Sequence, residues 1–212
     1  MDRTEKFEED LESLTSRLVQ DTNREEEESL LRLKDHLLLL HMSNVVKINH
    51  SVMELVCAKL LVLKGYFVEV ERALDGDLTC DLHATKGDGS LIVEIETGFI
   101  PPEHALDPST YLLARIASKI TRYSNYAGKF VVGIPPQYAM QVPKQLVKPP
   151  RDRSDEDLRG IKGLCDMYYK NPPVTLDEVK NARLHGIYLI NVDRVTVQEI
   201  DPETYVHTCP RS

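Results

Sequence analysis

Four acidic residues stand at spacings that could do chemistry: Glu54, Asp81, Glu94 and Glu96. Asp81 and Glu94 belong to the stretch DLHATKGDGSLIVEIET, in which two short apolar-polar alternating runs surround Lys86-Gly87-Asp88-Gly89. A Gly/Asp turn between alternating runs signals a β-hairpin. With Gly87 and Asp88 as loop residues, Thr85 faces Ser90, Ala84 faces Leu91, His83 faces Ile92, Leu82 faces Val93 and Asp81 faces Glu94. Strand residues two apart share a face. Cys80, Leu82, Ala84, Leu91, Val93 and Ile95 are therefore expected on one buried face. Asp81, Glu94 and Glu96 are expected on the other, beside Thr79 and His83. Like charges set opposite one another destabilise a sheet, so carboxylates gathered in this way point to a cation. The same pattern also describes the solvated face of an exposed, one-sided hairpin.

Other elements must hold that hairpin in place. Phe7, Leu11, Leu14 and Leu18 recur at helical spacing and predict a first amphipathic helix. Leu30, Leu33, Leu37 and Leu40 predict a second, opened by Glu25 to Glu28 and apolar on a further side through Leu31, Leu38 and Leu39. A helix apolar on two sides needs two partners: its own domain and, in the sharper reading, a second copy of the chain. After a connector over 43–49, Ser51 and Glu54 have capping-box spacing for a third helix that stops at Gly65, which would give Glu54 a capping role. Strands over 66–71 and 78–85 are joined by Asp75-Gly76-Asp77. Beyond the hairpin, Asp107-Pro108 is an N-cap and N1 pair for a long helix through Arg115, Lys119 and Tyr123, followed by an apolar strand over 130–134. Strand, helix and apolar strand in that order predict a crossover to a parallel, buried strand. Residues 136–175 contain six prolines and read as an ordered extension or a mobile loop with a short helix over 157–169. Lys144, Lys148, Arg151 and Arg153 give this segment a local positive balance. Thr175 with Glu178 opens a further helix, and 185–192 with 196–200 form a closing hairpin. The fold class is α/β: a mixed sheet flanked by helices in a domain over 45–212, with its core at about 51–134, and an N-terminal helical extension over 1–44.

The 212 residues carry a formal charge of -8, unevenly placed: residues 1–42 hold 12 Asp/Glu against 6 Lys/Arg, and the remainder 22 against 20. A nucleic-acid partner is thus not excluded, but its contact must be a local patch. Cys57, Cys80, Cys165 and Cys209 lack metal-ligand spacing. Buried thiols are expected for Cys57 and Cys80, while pairing of Cys165 with Cys209 stays open. The N-terminus lacks the apolar run of a signal peptide and no segment is apolar enough to span a bilayer, so a soluble cytoplasmic protein without membrane contact is expected.

Helix with an early Glu54, strand, strand with Asp81, strand with Glu94-Ile95-Glu96, helix, apolar strand: this order resembles the PD-(D/E)xK nuclease superfamily of restriction enzymes, archaeal Holliday-junction resolvases and RecB-type nucleases. By overall sequence and length the chain also looks like the nuclease-like proteins of spindle-shaped archaeal viruses, which would place it in host cytoplasm. The resemblance covers Ser51 to about Ile134 and implies a restriction-endonuclease-like core. It implies Asp81 and Glu94 as direct ligands of Mg²⁺ or Mn²⁺, the Ile95 carbonyl completing the protein share and Glu54 reaching in directly or through water. The family's lysine two residues after the second acid is Glu96 here. Glu96 would hold a second metal or activate the attacking water, as in superfamily members with Glu there, or the missing positive charge comes from the next helix. Lys119 and Tyr123 stand four apart on that helix and resemble the Gln-xxx-Tyr element of RecB-like members. His36, His41 and His50 share no face with an acid pair, and His83 merely neighbours the site, so each reads as a solvated or core histidine. The implied activity is a Mg²⁺-dependent DNA endonuclease, homodimeric, on DNA that includes branched forms. Its contacts to nucleic acid would be Arg122, Tyr123, Lys144, Lys148, Arg151 and Arg153. The rival is a DNA-binding or assembly protein on the same fold that has lost the chemistry.

Overall fold

The computed structural model describes residues 3–43, 46 and 48–208, and the side chains of Arg3, Thr4 and Asn49 are left aside. Helices α1 (Arg3–Leu18), α2 (Arg24–Met42) and α3 (Ile48–Leu63) precede strands β1 (Phe67–Asp75), β2 (Leu78–Lys86) and β3 (Gly89–Ile95). Then come α4 (Pro108–Tyr123), β4 (Lys129–Ile134), α5 (Lys144–Val147), α6 (Asp155–Tyr168) and α7 (Leu176–Asn181). Strands β5 (Gly186–Asn191) and β6 (Thr196–Ile200) and helix α8 (Pro202–Thr208) close the chain. The six strands form one sheet in sequence order, antiparallel at β1–β2, β2–β3 and β5–β6 and parallel at β3–β4 and β4–β5. This is the expected α/β class: a mixed sheet flanked by helices, with an N-terminal helical part.

Two apolar clusters cover the two sheet faces. Phe7, Leu11, Leu30, Leu37, Leu55 and Leu61 from α1–α3 pack with Leu82, Val93 and Ile95 on one face. Ile116, Ile120, Met140, Leu146, Ile161 and Val179 pack with Ile92, Phe130 and Val132 on the other. Because both faces are covered, the hairpin has no solvated side: Ile92, Glu94 and Glu96 are all buried. Residues 136–175 form ordered structure packed on the second face rather than a loose loop, with Met140, Leu146 and Ile161 among its buried residues.

The hairpin keeps the expected register from Lys86↔Gly89 to Leu82↔Val93. Beyond that point the face pattern inverts. Val70 and Leu82 pack against α3, whereas Leu74 and Cys80 belong to the cluster under α4. The β1–β2 ribbon therefore turns over at Glu71 and Asp81, where Glu71 takes the left-handed backbone (φ 48). A positive φ at a non-glycine residue is costly and re-aims the chain, as a bulge does. Cys80 accordingly leaves the face that strict alternation assigned to it.

Helix α3 also begins earlier than the Ser51–Glu54 spacing indicated. It starts at Ile48, so Glu54 lies in the second turn and caps nothing. The cap signals at α7 hold, with Thr175 and Glu178 forming a capping box, and Asp107 is the N-cap residue of α4. Cys57, Cys80 and Cys165 are free and buried, and Cys209 lies outside the described residues. Among the described residues no helix is long and apolar enough to cross a membrane.

Candidate active site

The site forms where β2 and β3 part. Their ladder ends at Leu82↔Val93, and side chains replace the next rungs. The Asp81 N–H donates to Glu94 Oε1 at 3.0 Å, and the Ile95 N–H donates to Asp81 Oδ2 at 2.5 Å. The two acids thus lock each other's backbone, so their carboxylates converge in spite of like charge. A buried backbone N–H must find an acceptor, and a carboxylate is a strong one.

From the α4 side Lys119 reaches the gap. Its Nζ donates to Glu94 Oε2 and to the Ile95 carbonyl, each at 2.9 Å, and lies 3.7 Å from Asp81 Oδ2. Burial opposes its charge, but Glu94 and then Asp81 outweigh it and hold the ammonium protonated far above the ordinary range. Burial and the Asp81 charge push Glu94 up, with Lys119 acting against them. Tyr123, one turn on, donates its hydroxyl to the Thr79 carbonyl at 3.0 Å and ties α4 to β2.

From the α3 side comes Glu54, fully buried, with neither carboxylate oxygen hydrogen-bonded. Burial raises its pKa well above the usual carboxylate value, and Asp81, Glu71 and Glu94 add to the effect. Glu71, re-aimed by its positive φ, feels burial and Asp81 and rises to about 7. His50, half-buried one turn before Glu54, completes the set: His50, Glu54 and Asp81 each offer a ligand atom within 4.8 Å of the others. The expectation that His50 shares no face with an acid pair and is a solvated or core histidine does not hold against Glu54 and Asp81. The i,i+4 spacing of His50 to Glu54 was the available signal.

Glu96 is not among these groups. Its Oε2 accepts from Arg115 Nε at 2.5 Å and its Oε1 from the Gly98 N–H at 3.0 Å, with no exposure to solvent. Gly98 sits at φ +76, and a Cβ there would meet the Tyr138 ring at 2.7 Å. Glu96 therefore anchors the turn after β3 against α4. The expected role as second-metal ligand or base does not fit a carboxylate already engaged by a guanidinium and a backbone amide.

The other expected contacts divide. Arg115, Lys119, Arg122, Tyr123 and Tyr169 line a cleft of about 220 Å³ beside the acids. Arg122 is half-buried, bonds the Pro172 carbonyl and lies 5.8 Å over the Tyr169 ring. Arg153 is buried and donates to the carbonyls of Gln145, Leu146, Lys148 and Val179. It braces the 144–153 segment and is withdrawn from any phosphate, which corrects the expectation for that residue. Lys148 is exposed but pairs with Asp157 at 2.8 Å. Lys144 and Arg151 are exposed. A larger cavity of about 590 Å³, lined by Leu113, Met140, Ile161 and Leu164, lies away from the acids.

The residues present fit a divalent cation. Among the described residues, Lys119 is the cation that bears on Glu54, Glu71 and Glu94 and lies 3.7 Å from Asp81, while Arg115 is committed to Glu96. Among the described residues neither Glu54 side-chain oxygen finds a hydrogen-bond partner, which is unusual for a buried polar group.

A scan against protein-family models and a search of curated proteins each find no match. Among solved structures, the CdiA-CT/CdiI toxin and immunity complex from Burkholderia pseudomallei aligns over 73% of this chain and 86% of that chain, at 16% identity and a TM-score of 0.29. That likeness is too slight to bear on fold or site.

Proposed function

We propose that this protein is a divalent-metal-dependent DNA endonuclease of the PD-(D/E)xK type, in which Lys119 on α4 takes the place of the motif lysine that Glu96 has displaced. The observation that carries this reading is the Lys119 ammonium at 2.9 Å from Glu94 and from the Ile95 carbonyl. A lysine beside the paired acids supplies the positive charge that the sequence order lacked.

Asp81 and Glu54 would hold the cation, Mg²⁺ or Mn²⁺, with His50 within reach of the same point. Glu94, whose two oxygens accept from the Asp81 N–H and from Lys119, would position both of those groups beside it. When bound, it supplies charge neutralisation on a phosphate, a more acidic water and help for the leaving oxygen. Lys119 commits two short bonds to Glu94 and Ile95. An ammonium has three N–H donors, so one remains for a phosphate oxygen and the charge that develops there. Arg122 and Tyr169, in the adjoining cleft, offer a guanidinium and a ring to the neighbouring nucleotide. Branched DNA and a homodimer belong to the same proposal.

The test is a cleavage panel of duplex, single-stranded, flapped and four-way-junction DNA with Mg²⁺ or Mn²⁺. Wild type should cut at least one substrate, Lys119→Ala should cut none, and Glu96→Gln should retain most activity. If wild type cuts nothing and binds no cation, the DNA-binding or assembly reading takes its place.

A further inference from the structure

From the juxtaposition of His50, Glu54 and Asp81 we infer that the centre selects a first-row transition cation over Mg²⁺. The inference rests on the metal-dependent reading of the site and goes beyond it by naming the class of ion.

Three facts carry it. One atom from each of His50, Glu54 and Asp81 falls within 4.8 Å of the others. Ligand atoms on opposite sides of a small divalent cation lie about 4 Å apart, given bonds of about 2.0–2.2 Å, so a modest closing brings all three onto one ion. The Glu54 carboxylate, fully buried with both oxygens unpartnered, is an independent sign that something charged belongs there. The third fact is the imidazole itself. Mg²⁺ is a hard ion that keeps its waters and takes carboxylate and phosphate oxygens. A nitrogen donor contributes little to it, whereas affinity for an N/O donor set rises along the first-row series from Mn²⁺ to Co²⁺.

The chain also fixes where this nitrogen sits. His50 and Glu54 are one turn apart on α3, so the imidazole and carboxylate project from the same helix face. The rigid helix holds them against β2, where Asp81 is pinned by the Ile95 N–H. The donor set is thus positioned before any ion arrives.

The experiment measures binding to the full chain by calorimetry, with Mn²⁺, Co²⁺ and Mg²⁺ titrated separately into wild type and His50→Gln. Glutamine offers an oxygen in place of the ring nitrogen. Pulsed EPR of the Mn²⁺-loaded wild type then reports directly whether a nitrogen is bound. Co²⁺ should bind tightest and Mg²⁺ weakest in wild type, with the Mn²⁺/Mg²⁺ affinity ratio at least tenfold lower in His50→Gln. A ¹⁴N coupling in wild type should be absent from the variant. If the variant does not fold, the wild-type ¹⁴N coupling decides alone. An unchanged ratio, or no nitrogen coupling in wild type, overturns the inference and leaves a metal-dependent nuclease standing. Failure of all three ions to bind removes both readings.

Discussion

Replacing Glu54 by methionine should make the metal-free protein more stable. Glu54 is fully buried, neither oxygen has a partner, and Asp81, Glu71 and Glu94 all disfavour its charge. A buried polar group left unsatisfied costs about 1–3 kcal/mol, more if charged. Methionine is unbranched and similar in volume, so it removes that penalty without opening a cavity. A gain of about 2 kcal/mol corresponds to roughly 4–8 °C in Tm for a chain of this length. Glu54→Gln should gain less, because its amide is still unsatisfied. The folded carboxyl binds its proton more tightly than the unfolded one, so wild-type stability in this term is full below about pH 4.5 and declines as pH rises. The methionine variant's advantage should therefore widen from pH 5 to pH 8. Thermal melts in EDTA across that range measure it. Adding a cation at about 100 times its Kd should then stabilise wild type by about 2.7 kcal/mol and leave Glu54→Met nearly unmoved. A methionine variant that melts below wild type in EDTA would refute the reasoning, since the carboxyl would have been satisfied after all.

Lys119→Met should abolish cleavage and also lower stability by about 3–5 kcal/mol, because it strands Glu94 in the interior without its partner; urea titration checks the second effect. Glu96→Gln should leave cation affinity within about twofold of wild type by calorimetry, as its carboxylate serves Arg115 and the turn at Gly98. Arg153→Ala should destabilise by about 2–4 kcal/mol through the loss of four carbonyl contacts. Lys144→Ala with Arg151→Ala should instead flatten the salt dependence of DNA binding with little change in Tm. On α2, Leu39 and Met42 are 63% and 70% exposed, and charged substitutions there should dissociate a dimer that uses this face, read by sedimentation. Deleting residues 1–42 is a poorer test, since Leu11, Leu30 and Leu37 share the core of α3 and would leave it bare.

Much of this molecule was legible in the chain. The hairpin register from Thr85↔Ser90 to Leu82↔Val93, the stripe of Phe7, Leu11, Leu14 and Leu18, and the cap of α7 all follow from residues a few places apart. Turn chemistry and the periods of strand and helix act locally, so local sequence suffices to state them. The meeting of Asp81 with Glu94 was legible for the same reason. Tertiary structure alone decided the rest. It turned the β1–β2 ribbon over at Glu71 and sent Cys80 to the opposite face. Of the two readings that the sequence left open for the missing positive charge, tertiary structure favoured the helix: Lys119 meets an acid 25 residues away, and Arg115, one turn earlier, takes Glu96 out of the site. His50 was added from α3, and Arg153 was spent on carbonyls instead of phosphates. Apart from the turned ribbon and His50, each of these outcomes is a choice of partner for a charge in a low-dielectric interior. Such a charge must take whichever opposite group or backbone dipole the packing of distant elements sets within about 3 Å, and residue spacing does not encode that distance.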